Sequence, residues 1–282
     1  MAALAASLTA AAGTGSGQPA VGADRPAVLA ALWDAYRARY VTADGRVLDR
    51  SRADGDVTSE GQSYALLRAA WIGDRATFDR ALGWTTTYLG RPDGLHAWLW
   101  TSDGSRVVDA NSATDAEIDI AFALLVGSQR FGEAAYAERA RLLVVAIRTH
   151  ARLDGPGGWW APSAGNWAGP DRIVNLSYLA PYAFADFSRY SFRRHGEYTT
   201  LAEELRSIER YLLLEQATRG GRLPPDFARV DSEGRLTALP DGSRLSADFS
   251  YDAIRVPWRL AVDCRVTGRR EACRLARRLG HT

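Results

Sequence analysis

The chain has 282 residues, 46% hydrophobic and 24% charged, enough to bury one sizeable core in a globular domain. Its net charge is only +2, and all 35 basic residues are arginine, interleaved with 33 acids; no basic stripe forms, so a nucleic-acid partner is not expected. Two cysteines without CxxC spacing, Cys264 and Cys273, exclude a thiolate zinc site and leave open a disulfide or two buried thiols.

Residues 1–22 read as a signal-peptide-like remnant and flexible lead-in: Ala10-Ala11-Ala12 before Gly13 has the look of a signal-peptidase site, without a charged n-region. One domain is expected over residues 23–282, with no apolar run long enough to cross a membrane. Helical periodicity then dominates. Asp24–Tyr40 places Val28, Leu29, Leu32, Trp33 and Tyr36 on one face; Ser59–Ile72 and Arg75–Leu89 follow. Thr114–Phe131 is strongly apolar and stopped by Gly132, and Glu133–His150 is amphipathic. Leu179–Phe192, Tyr198–Ala217, Tyr251–Val266 and Arg269–Leu279 complete about nine helices in antiparallel succession. Between them run long loops over Val41–Thr58, Gly90–Ala113, Leu153–Asn175 and Gly220–Phe249, and the last holds a hairpin turning at Asp231–Gly234. Loops of this length usually build a site. Helix pairs with elaborate loops at one end predict a toroid of helices with a cleft across one face.

Three acids share one placement, in a polar loop just before an apolar helix: Glu60, Asp115 and Asp252. Each fits an ordinary helix start, where the macrodipole favours acids, and Ser59-x-x-Gln62 and Thr114-x-x-Glu117 both read as capping boxes. Together, with aromatic residues in the adjacent loops, they fit glycosidic cleavage, in which one carboxylic acid protonates the departing oxygen and a second carboxylate acts from the other side. His96, His150, His195 and His281 lack metal spacing, and neither a G-x-S-x-G nor a phosphate loop occurs, so no metal and no cofactor is expected.

Three ordered segments, Ser59-Glu60-Gly61-Gln62-Ser63-Tyr64, Ala113-Thr114-Asp115-Ala116-Glu117 and Ser250-Tyr251-Asp252-Ala253-Ile254-Arg255-Val256-Pro257-Trp258-Arg259, resemble the signatures of family 8 glycoside hydrolases, which include bacterial endo-β-1,4-glucanases and the endoglucanase of cellulose synthesis. Ala97-Trp98-Leu99-Trp100 and Asn175-Leu176-Ser177-Tyr178 fit between them in order, and the similarity runs from about Asp24 to the C-terminus. The resemblance implies an all-α (α/α)6 barrel, here with a small β-hairpin insertion, and hydrolysis of β-1,4-linked glucan with inversion. It implies Glu60 as general acid, Asp252 as base and Asp115 as the residue that holds and distorts the sugar. Inversion expects the Glu60 and Asp252 carboxyl groups roughly 6.5–9.5 Å apart.

Around these, Trp98, Tyr178, Tyr251, Arg255, Gln62 and Tyr64 are the expected substrate-binding residues. Alternate spacing sends one of Trp98 and Trp100 to the cleft, and Trp98 is the one expected there; Trp159-Trp160 is a further possible platform. The helix N-terminus should lower the Glu60 pKa, so desolvation or Asp115 must outweigh it, whereas the dipole and Arg255 should both keep Asp252 ionised. Departures from the family pattern are Glu117 for aspartate, Phe131 for tryptophan, Leu176 for proline and Phe227 for tryptophan. Only thirty residues follow Asp252, so the last barrel helices are expected to be lacking. The expected protein is a secreted or periplasmic monomer acting on a polysaccharide. The alternatives are a non-catalytic glycan-binding relic and a chitosanase, lichenase or xylanase of the same family.

Overall fold

The computed structural model describes residues 25–51, 55–103, 105–155, 160–191 and 223–279. Among them are eight α-helices in chain order: α1 (Arg25–Tyr40), α2 (Ser59–Ile72), α3 (Arg75–Trp84), α4 (Thr114–Phe131), α5 (Ala134–His150), α6 (Pro181–Ser191), α7 (Arg255–Thr267) and α8 (Arg270–Leu279). The expected helix over Tyr198–Ala217 and the lead-in over residues 1–22 lie outside the described residues.

The core forms around α4, whose residues from Thr114 to Leu125 are all buried. A helix apolar on every side belongs in the centre, and α2, α5 and α6 pack against it while α7 packs on α6 and α8. Gly127 lets α3 approach, since a Cβ there would meet the Phe78 ring at 2.9 Å. Gly132 ends α4 in the left-handed region at φ 71°, its N–H returning to the Ser128 carbonyl, as its place after the apolar run predicts.

Two helices differ from their sequence reading. In α1, Trp33 and Tyr36 dock through the Trp33 indole N–H, which donates to Asp74 at 3.0 Å, while Val28, Leu29 and Leu32 stay exposed. The helix meets its neighbours along the Trp33–Tyr36 edge rather than the whole apolar face. The expected helix from Arg75 to Leu89 changes at Thr85 into a π-helical turn, Thr85–Leu89. There the Thr85 and Thr86 hydroxyls return to the Ala81 and Leu82 carbonyls, and the Gln62 amide also reaches Ala81 and Thr85. Side chains competing for main-chain carbonyls widen a helical turn.

The loops hold more sheet than the single hairpin expected. β1 (Val57–Thr58), β2 (Leu99–Thr101) and β3 (Arg106–Asp109) form one antiparallel sheet, and β4 (Arg152–Asp154) pairs with β5 (Trp160–Pro162). A third sheet joins β6 (Ile173–Val174) to the anticipated hairpin of β7 (Ala228–Val230) and β8 (Leu236–Thr237). Its turn closes between Asp231 and Gly234, as the sequence predicts. These short strands satisfy loop main-chain groups that would otherwise be orphaned under the helices.

One buried ion pair ties α7 to the centre. Arg259 of α7 makes two parallel bonds to Asp119 of α4, both at 2.9 Å, and a third to the Tyr182 hydroxyl at 2.9 Å. Both partners are almost fully buried, so removing one leaves an uncompensated charge. Arg259→Met is expected to cost about 3–5 kcal/mol in urea unfolding, whereas Arg259→Met combined with Asp119→Leu recovers most of that loss.

Candidate active site

Glu60 is the second residue of α2 and Asp115 the second of α4, while Asp252 precedes the first residue of α7, Arg255. Their elements bring them into one cluster. Arg255 joins two of the acids: Nη1 donates to Asp115 Oδ2 at 2.6 Å and to the Tyr64 hydroxyl at 2.9 Å, and Nη2 donates to Asp252 Oδ1. Its guanidinium also lies over the Tyr178 ring, 5.4 Å from the centroid. Asn175 Nδ2 donates to the second Asp252 oxygen at 3.0 Å. The Trp98 indole N–H donates to Glu60 Oε1 at 3.0 Å. The other oxygen of Asp115, Oδ1, is buried and has no hydrogen-bond partner.

Burial, and then the facing Asp115 carboxylate, push the Glu60 carboxyl up to about 8. A main-chain N–H, Arg255 and the Trp98 indole pull the other way and lose. Glu60 therefore keeps its proton at neutral pH despite its place at a helix start. Burial also raises Asp252, more than Arg255 and Asn175 lower it, and Asp115 and Asp226 add to the rise. Arg255 favours the charged form as expected, but burial outweighs it, which corrects the expectation that nothing opposes ionisation of Asp252. Residues 251–254 form turns and α7 starts only at Arg255, so the dipole does not act on Asp252 as a first-turn residue. Burial drives Tyr64 up to about 12 and Tyr178 well above the usual phenol range, so both hydroxyls stay protonated.

Residues 9–276 match the family described as glycosyl hydrolases family 8. The chain belongs to that family. It is 33% identical over 233 residues to an endoglucanase of Escherichia coli K12, covering 79% of this chain and 60% of that one. It is 41% identical over 157 residues to an endoglucanase of Xanthomonas axonopodis, covering 52% of this chain and 41% of the relative. The chain thus spans 60% or less of the length of these two relatives. A family 8 endoglucanase structure from Klebsiella pneumoniae superposes with a TM-score of 0.72 at 25% identity, over 82% of this chain and 73% of that one. An endo-β-1,4-glucanase from Acetobacter xylinum gives a TM-score of 0.71 at 29% identity, over 83% and 72%. The all-α expectation and the (α/α)6 class hold for this family 8 chain.

Within the family 8 site, Trp98 and Trp100 separate as their alternate spacing predicts. Trp100 is buried edge-on against Trp84, and Trp98 faces Glu60. Tyr64, Tyr178 and Arg255 join the acids. Gln62 does not. Its amide is fully buried, accepting the Val47 N–H at 2.6 Å and donating to Gly45, Ala81 and Thr85, so it fastens a loop to α2 and α3. Tyr251 stays 90% exposed on the turn before α7 and is not among the residues bonded to the acids. Trp160 is buried in the core and forms no platform, and Trp159 lies outside the described residues.

Neither capping box forms. Thr58, not Ser59, caps α2 by accepting the Gly61 N–H, and α4 has no side-chain cap. Glu117 instead grips His96, taking its main-chain N–H at 2.6 Å and pairing with Nδ1 at 2.8 Å. This clamp secures the loop that carries Trp98. The only sequence signal for it was a glutamate where the family has aspartate. Asp226, which anchors the turn before α7, was also missed; it stood out only as the residue before the atypical Phe227.

The raised Glu60 has a consequence for folding. Between the ordinary carboxyl value of 4.5 and about 8, the folded protein keeps a proton that the unfolded chain has lost, so this group's stabilising contribution declines as pH rises through that window. Glu60→Gln removes the decline. Calorimetry is expected to give the variant a higher thermal midpoint than wild type at pH 8.5, with a much smaller difference at pH 4. A difference independent of pH contradicts a neutral Glu60.

Proposed function

We propose that this chain is an inverting, endo-acting hydrolase of β-1,4-linked glucan, with Glu60 as acid, Asp252 as base and Asp115 holding the sugar at the cleavage point. The reading rests on one observation above others. A carboxyl raised to about 8 shares a cluster with two further carboxylates that are joined by a single arginine. A protonated acid can donate to the departing glycosidic oxygen, and an ionised aspartate on the other side can take a proton from the attacking water. Burial raises both groups, Glu60 as far as about 8, and Arg255 and the Asn175 amide restrain the rise at Asp252.

Asp115 Oδ1 supports a sugar as the ligand. An unpaired buried carboxylate oxygen costs about 1–3 kcal/mol or more, and a sugar hydroxyl donating to it offsets that cost on binding. Trp98, Tyr64 and Tyr178 add aromatic faces and hydroxyls beside it, which suits pyranose rings. Glucan rather than another polymer is favoured because the two relatives named above and the Klebsiella pneumoniae structure are endoglucanases, and the Acetobacter xylinum structure is an endo-β-1,4-glucanase. A β-1,3-1,4-glucanase and a xylanase at 19% and 17% identity share the fold alone.

We further read residues 23–282 as the catalytic domain, residues 1–22 as an export lead-in, and the protein as a secreted or periplasmic monomer. A Cys264–Cys273 disulfide between α7 and α8 supports an oxidising compartment. No helix among the described residues is long and apolar enough to cross a membrane. Likewise, no group of three or more His, Cys, Asp or Glu among them is placed to hold a metal.

Glu60→Gln and Asp252→Asn are each expected to lower reducing-end release from carboxymethylcellulose by about 10²–10⁴-fold, and wild-type rates in either variant contradict the assignment. Proton NMR of early products should show the α-anomer first; an initial β-anomer rules out inversion. The pH profile of kcat/KM should be bell-shaped, with a basic limb near 8 from Glu60 and an acidic limb above the ordinary aspartate range from Asp252.

A further inference from the structure

The turn that carries Asp252 is held by a carboxylate that takes no part in the proposed chemistry. Asp226 Oδ1 accepts the main-chain N–H groups of Ser250 at 3.1 Å, Asp252 at 3.1 Å and Ala253 at 2.8 Å, and Oδ2 takes the Ser250 hydroxyl. Asp226 is only 3% exposed. Its own N–H donates to Asp248 at 2.8 Å and that of Phe227 to Ser246 at 3.0 Å, so the segment leading to Asp252 is zipped along the start of β7.

The neighbouring strand supplies the second grip. Val174 of β6 pairs with Ala228 of β7, and the next residue after β6 is Asn175, whose amide holds the Asp252 carboxyl. Adjacent strand ends of one small sheet therefore fix both parts of Asp252. Asp226 takes its main chain and Asn175 its side chain.

Any buried acceptor would satisfy these N–H donors. A charged one beside Asp252 adds electrostatic repulsion that loop closure alone does not require. The groups facing Asp252 are Arg255 from α7, Asp115 from α4, Asp226 from the start of β7 and Tyr178 from the turn before α6. Burial raises Asp252 most, Arg255 lowers it, and Asp115 and Asp226 raise it further. Burial also acts to raise Asp226, but the Ser250 and Ser246 hydroxyls and the Ala253 and Ser250 N–H groups hold it below the usual carboxylate range, so it remains charged.

We propose that Asp226 is the positioning residue for Asp252, fixing the base's main chain while Asn175 fixes its carboxyl, so that the β6–β7–β8 sheet sets where the base stands against Arg255 and Asp115. This rests on Asp252 being the base. Its charge also keeps Asp252 a stronger proton acceptor than Arg255 alone would allow.

The test uses the full chain and a soluble β-1,4-gluco-oligosaccharide, with kcat and KM measured against pH for Asp226→Ala, Asp226→Asn and Asp252→Asn, and thermal midpoints for each. Asp226→Ala is expected to lower kcat about 10²-fold with KM within about twofold, the scale of a displaced reacting group. Asp226→Asn keeps an acceptor at Oδ1 but not the charge. It should fold even if Asp226→Ala does not, and should move the acidic limb of kcat to lower pH. A lowered thermal midpoint with kcat and the acidic limb of Asp226→Asn unchanged overturns the proposal, since a merely structural carboxylate gives that result. If Asp252→Asn is inactive while the Asp226 variants keep the wild-type profile, this inference fails and the base assignment stands. If Asp252→Asn retains wild-type hydrolysis, both fall.

Discussion

Arg255 is the group on which the site depends. Asp115 and Asp252 come from distant parts of the chain, and two carboxylates brought to one buried locus repel each other unless a cation stands between them. Arg255 donates one nitrogen to each and a further bond to Tyr64, and lies over the Tyr178 ring. Burial works against its charge, but Asp115, Tyr64 and Asp252 hold the proton firmly on the guanidinium. A planar fork suits this task, because a lysine would offer one point charge and no fixed direction between the two acids. The buried Arg259–Asp119 pair one turn further along α7 holds that helix against α4 and so fixes where Arg255 starts.

With Asp115 kept close by this bridge, the protonation of Glu60 follows. A helix start ordinarily lowers a carboxyl pKa by the dipole and by free N–H groups. At Glu60 desolvation and the Asp115 charge outweigh both. One arginine thus has two opposite effects. It holds Asp115 in place, and Asp115 helps keep the Glu60 proton, even though the arginine itself lowers Glu60.

The supporting parts are small. Two of the short loop sheets serve the site: β1–β2–β3 carries Trp98 toward Glu60, and β6–β7–β8 brings Asn175 and Asp226 to Asp252. The Glu117–His96 clamp and the buried Gln62 amide secure the loops against the helices. Each uses a buried polar side chain to satisfy loop main chain, and unsatisfied loop main chain would cost more than these contacts do.

Most of the helices, the Gly132 stop, the hairpin turn and the three acids were legible in the sequence, because apolar period, glycine position and motif order are local properties. Trp98 and Trp100 were separable by alternation alone. The roles of Ser59, Gln62 and Glu117 were not. Their spacing is that of capping boxes, and it contains nothing about the buried N–H groups of Val47 and His96 that claim Gln62 and Glu117 instead. Nor does spacing show that Tyr251 turns outward, that Cys264 and Cys273 meet at a Cα separation of 4.7 Å, or that Asp226 lies under the turn of Asp252. The sequence by itself determined the all-α class and the family, and it singled out three acids that the fold brings into one cluster. Which of those acids keeps its proton, and which residues hold the others in place, was decided only by the tertiary structure. Burial and Coulomb interactions depend on distances between groups far apart in the chain, and those distances exist only once the helices have packed.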